Sequence, residues 1–136
     1  MEKFLSFTPR YSRLENVFSD QDLARLGDAY INFIYSLALS KKQNKATGAK
    51  VSSRLLAQAL KKAQLRKTLP KRMDRHELGD AAEALIVYAW IHEAISIEES
   101  VTTLLSADNA AEAFAKLLYR AIEKLNFEPT ASGSTL

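Results

Sequence analysis

The sequence predicts an all-α fold. Glycine and proline number only four and three in 136 residues, and no long stretch alternates apolar with polar residues. Instead, apolar residues recur at three- and four-residue spacing between residues that cap helices. At 47% hydrophobic and 26% charged, the chain has the composition of a globular protein, and its length suits one domain. Residues 1–127 are assigned to that domain, and 128–136, EPTASGSTL, to a disordered tail.

The elements follow in order. A first long helix starts near Ser19 or Asp20, either of which can cap it, and runs to about Ser40 with Leu23, Leu26, Tyr30, Phe33, Ile34 and Leu37 at helical spacing. KKQNKATGAK then reads as a flexible basic loop. A second helix, Ser52 to Lys67, sets Leu55, Leu56, Ala59, Leu60 and Ala63 against a basic face, and Pro70 marks its end. The third begins near Asp74 and runs through Trp90 to about Ala94. Ser96 followed by Glu99 has capping-box spacing and opens a short helix, IEESVTTLL. Asp108 can cap the last helix, whose apolar stripe is Phe114, Leu117, Leu118, Ala121, Ile122 and Leu125.

Composition removes several functional classes. With no cysteine, disulfides and thiolate metal sites are excluded. The N-terminal apolar run is too short for a signal peptide, and no stretch reaches 18 uninterrupted apolar residues, so a cytoplasmic protein without a membrane span is expected. The net charge of +3 hides a strong asymmetry. Residues 41–75 hold twelve lysines and arginines against the single acid Asp74, a net of +11, which leaves the remainder at −8. Such segregation suits a polyanion, because each cation that neutralises a phosphate releases a condensed counterion. A solvated helix surface would show the same run.

The tetrapeptide LGDA occurs twice, at 26–29 and 78–81, each time opening an apolar run. An acid at the mouth of a buried helix is costly unless its charge is compensated. Asp80 and Glu83, three apart on one helix, lie on one face with Cβ atoms about 5–6 Å apart. Two like charges so close require a proton or a cation between them, and oxygen-only ligands favour Mg²⁺ or Mn²⁺ over zinc. Asp28 adds a third oxygen ligand if the first and third helices pack side by side. Gly27 and Gly79, each just before an aspartate, would then let those two helices approach closely. His76, one turn before Asp80, is placed to assist proton transfer, or simply to pair with Glu77 or Asp80. For Asp28 the plain alternative is a salt bridge to Arg25 on a polar helix edge. His92–Glu93 lacks HExxH spacing and is not read as a zinc site.

These motifs resemble the ribonuclease III catalytic domain. LARLGDAYINFIYSLAL is similar to that family's first signature helix, LGDAAEALIVYAWI to its second, and VSSRLLAQAL to the helix between them. The likeness covers roughly residues 20–95 and is closest to the compact stand-alone members, which lack a double-stranded RNA-binding domain. It implies a homodimer with catalytic, metal-binding Asp28, Asp80 and Glu83. It further implies Mg²⁺, replaceable by Mn²⁺, and cleavage of double-stranded RNA in RNA processing to 5′-phosphate and 3′-hydroxyl ends. Lys41, Lys42, Lys45, Lys50, Arg54, Lys61 and Lys62 would contact the RNA. The chain departs from the bacterial enzymes at Ala24, where they carry a glutamate; the compact members also read Leu-Ala-x-x-Gly-Asp. Asp20 and Asp22 are out of register to replace that acid. Other readings stay open: a catalytically inactive RNA-binding relative, for which Ala24 speaks; an all-α nucleotide pyrophosphohydrolase, whose ExxE pair is missing from the first long helix; and a helical interaction protein.

Overall fold

In the computed structural model, residues 4–127 are described, and all their regular structure is helical. The first element, α1 (Leu14–Phe18), was not anticipated. It is five residues long and has no side-chain cap, so it leaves almost no local signal, yet it buries Leu14, Val17 and Phe18. Helix α2 (Gln21–Gln43) is capped by Asp20, which accepts from the Leu23 N–H, and runs three residues beyond the expected Ser40 before Asn44 turns into the left-handed region.

The KKQNKATGAK segment is anchored rather than flexible. The Ser40 and Ser36 hydroxyls hold the backbones of Thr47 and Ala49, and Asn32 holds the Val51 N–H. Ser52 then caps α3 (Ser53–Lys62), which stops five residues before the expected Lys67. Gln64 adopts φ 63°, and the Leu65 N–H reaches back to the Leu60 carbonyl, closing the helix well before Pro70. A 3₁₀ turn, Arg66–Thr68, follows.

Helix α4 (Arg75–Ile91) opens with a complete capping box between Asp74 and Glu77. It closes at His92, before the expected Ala94, because Glu93 turns left-handed. Helix α5 (Ile97–Leu105) uses Ser96 as its cap, while the Glu99 carboxylate pairs with Arg120 and Lys124 of α6. Helix α6 (Ala110–Leu125) is capped by Asn109, one residue after the expected Asp108. The tail 128–136 lies outside the described residues.

Helix α4 is the pillar of the domain. Nearly all of its side chains from Leu78 to Ile91 are buried, and it packs against α1, α2, α3 and α6. Tyr30 of α2 stacks on Trp90 of α4 with ring centroids 5.1 Å apart. Further up the same seam Gly27 meets α4 directly: a Cβ there would overlap the Glu83 carbonyl oxygen and lie 2.5 Å from its carbon. Gly79 has a different neighbour from the one expected. It faces Ser53 at the start of α3, not α2, and a Cβ would lie 3.2 Å from the serine Cβ. Among the described residues no helix is long and apolar enough to cross a membrane.

The two glycines should therefore respond differently to alanine. Gly27→Ala forces α2 away from α4 and should cost about 2 kcal/mol or more in urea unfolding. Gly79→Ala gains up to about 1 kcal/mol of helix propensity against a neighbour that needs to yield only a few tenths of an ångström, so it should leave stability near wild type. Equal losses in both would contradict this assignment of the contact.

Candidate functional site

The α2–α4 approach puts three acids at one place. Gly27 touches the Glu83 backbone, so Asp28, the next residue, lies beside α4 where Asp80 and Glu83 share a face. Asp28 is exposed, Asp80 half-buried, and Glu83 buried at 9% exposure. The Glu83 carboxyl is pushed up to about 8, first by burial, then by hydrogen bonding with Asp28 and the negative charges of Asp28 and Asp80. Burial also raises Asp80; hydrogen bonding with Glu83 and the nearby His76 pull it down, while Asp28 and Asp74 push it up. Near neutral pH Glu83 thus keeps its proton.

His76 is exposed and stands where its spacing places it, close enough to act on Asp80. The alternative partner for Asp28 is ruled out, since Arg25 pairs with Asp22 at 2.9 Å. Besides Glu83, Asn32 touches Asp28, donating to its Oδ1 at 3.4 Å. Among the described residues, no group of three or more His or acidic side chains is arranged as it stands to hold a metal ion. The donor chemistry nonetheless suits a hard cation, with three carboxylates of which Glu83 is held protonated first by burial and then by its acidic neighbours. Ala24 is buried at 4% exposure on the core side of α2. Neither nearby acid substitutes for it, because Asp20 caps α2 and accepts from the Tyr11 hydroxyl, while Asp22 holds Arg25.

The basic residues do not form one continuous face. Arg54 and Lys61 of α3 line a cavity of about 430 Å³ together with Arg66, Arg75, Gln58 and Leu78. None of these four cations pairs with a carboxylate among the described residues, and Leu78 in the first turn of α4 closes the cavity. Lys62 instead faces a groove of about 890 Å³ that it shares with Glu98, Glu99 and Glu123 and with Lys116 and Arg120. Lys41 and Lys45 lie near Ile97 and Glu98, and Lys42 near Asp108. Lys50 is exposed at the end of the anchored segment.

Arg66 and Arg75 were missed as site residues, although both belong to the +11 segment. What marks Arg66 is visible only in three dimensions: its guanidinium donates to the carbonyls of Leu69, Pro70 and Lys71, which holds the turn ahead of α4.

A search of curated proteins finds no match to the chain. The Ribonuclease III family model matches residues 21–127, from the first turn of α2 through the end of α6, and so takes in both LGDA helices and the seam between them. The chain belongs to the Ribonuclease III family.

Proposed function

We propose that the chain is a Mg²⁺-dependent endoribonuclease that cuts double-stranded RNA as a homodimer, leaving 5′-phosphate and 3′-hydroxyl ends, with Mn²⁺ as a substitute ion. The observation that carries this reading is the electrostatic coupling of Asp28, Asp80 and Glu83 across the α2–α4 seam. These three would hold the ion, and a bound Mg²⁺ supplies a Lewis acid for the phosphodiester and lowers the pKa of its water.

The remaining work falls to the chain. Glu83 carries a proton until positive charge reaches it, and Gly27 keeps Asp28 within range. Arg54, Lys61, Arg66 and Arg75 line one cavity against the first turn of α4 and give it a positive charge that suits the phosphates of an A-form duplex, which is recognised by shape. Leu26 and Phe33, exposed at 38% and 51% one helical face apart from the core side of α2, give a second copy an apolar surface next to the acids. A second reading, an RNA-binding relative without cleavage, is favoured by Ala24, which is buried and supplies no fourth acid.

Long duplex RNA incubated with Mg²⁺ at low salt should be cut to short duplexes by the wild type and left whole by Asp80→Asn or with chelator. Light scattering on the same preparation should give twice the 15.2 kDa chain mass. RNA binding without cleavage in Mg²⁺ or Mn²⁺ would transfer support to the RNA-binding relative, and a monomer mass would remove the dimer.

The RNA contacts can be weighed separately by salt dependence. Binding should weaken steeply with salt, and Arg54→Ala or Arg75→Ala should each lower the slope of log K against log salt by about 1. Lys62→Ala, which opens into a different groove where acids offset the cations, should leave the slope unchanged.

Folding raises the Glu83 carboxyl from 4.5 to about 8, so the folded chain keeps a proton that the unfolded chain releases in that range. Stability present below pH 4.5 is therefore lost progressively as pH rises toward 8 when no divalent ion is added. Glu83→Gln, neutral at every pH, should flatten this dependence and melt about 5 °C above wild type at pH 8 without metal. Parallel pH profiles for the two proteins would argue against a protonated Glu83.

A further inference from the structure

Helix α2 carries Asn32, Ser36 and Ser40 at four-residue intervals, so the three line one face. Opposite them the chain returns in extended form. The Ser40 hydroxyl accepts from the Thr47 N–H at 2.8 Å and donates to the Thr47 carbonyl at 3.1 Å. Ser36 does the same to Ala49, at 2.9 and 3.2 Å. Asn32 Oδ1 accepts from the Val51 N–H at 2.8 Å.

The register works because four helical residues rise about 6 Å and two extended residues about 6.7 Å. Every second backbone unit is held, and the residues between, Ala46, Gly48 and Lys50, face solvent.

The last rung differs from the other two. With its Oδ1 committed to Val51, the Asn32 amide has its Nδ2 on the opposite side, and this is the group that donates to Asp28 at 3.4 Å. One side chain therefore touches both the acid and the backbone next to Lys50. Two residues further along, Ser53 packs against Gly79, which adjoins Asp80.

We propose that Asn32 is a positioning residue: its amide fixes the Asp28 carboxylate in register with the Lys50 segment, so that the acidic centre and the adjoining extended segment are set by one group. The catalytic consequence rests on the nuclease reading above, whereas the positioning itself does not.

The test uses Asn32→Ala, Asn32→Asp and Ser36→Ala in the full chain, read by amide exchange, the Asp28 side-chain ¹³C resonance, and steady-state cleavage of duplex RNA. Asn32→Ala should expose the Val51 amide and move the Asp28 resonance; Ser36→Ala should expose the Ala49 amide and leave that resonance in place. Asn32→Asp keeps an acceptor for Val51 but loses the donor to Asp28. It should retain Val51 protection while kcat falls roughly ten-fold with KM near wild type, whereas Ser36→Ala should act on KM. An Asp28 resonance unmoved in Asn32→Ala overturns the proposal, as does a kcat for Asn32→Asp equal to that of wild type. If the wild type cleaves no RNA, the nuclease reading has failed, and the Asp28 resonance still decides whether Asn32 positions it.

Discussion

The domain is organised around one short backbone approach, that of Gly27 to the Glu83 carbonyl. Most helix pairs keep their axes 8–10 Å apart because side chains fill the interval. Here a missing Cβ lets α2 sink onto α4, and the neighbouring features follow from that depth. Asp28, one residue on, is carried into the field of Asp80 and Glu83. Glu83 loses its water and with it much of its readiness to ionise. The glycine thus sets the charge state of an acid it does not touch through its own side chain.

A helix buried on nearly every side, as α4 is, has few places for charge, and the chain uses its start for that purpose. Asp74, Glu77 and Asp80 occupy the first turns, where the helix dipole favours anions, while Glu83 is the one acid carried deeper. The cations Arg54, Lys61, Arg66 and Arg75, which pair with no carboxylate among the described residues, collect on the α3 side of this end. Both signs of charge therefore gather about the start of α4. The ion pairs that do form stabilise elsewhere, notably Glu99 with Arg120 and Lys124 between α5 and α6.

Much of this was legible because helix signals are local. Asp20, Ser52, Asp74 and Ser96 cap where their spacing to apolar runs says they should. Asp108 and Asn109 are both competent caps, and only packing of α6 selects the second. The premature ends at Gln64 and Glu93 use left-handed turns at residues that carry no glycine-like mark. The acids were readable as a group from their LGDA context, but the partners of the two glycines were not, since identical tetrapeptides face different helices. Charge was readable as a total and not as a direction: Lys61 and Lys62 are neighbours in sequence and open into different cavities. The anchored loop was hidden because Asn32, Ser36 and Ser40, taken alone, form only a polar helix edge.

Tyr88 of α4 receives both ends of the described chain. Its hydroxyl accepts from the Tyr11 N–H at 2.7 Å, and its ring stacks with Tyr11 on one side and Phe127 on the other, each at 6.0 Å. Fraying is ordinarily a local affair, in which each terminus opens independently and at little cost. Here the segment before α1 and the turn after α6 share one aromatic partner, so release of either uncovers part of the ring on which the other packs. The two ends of the domain should open and close together, as one cooperative unit rather than two.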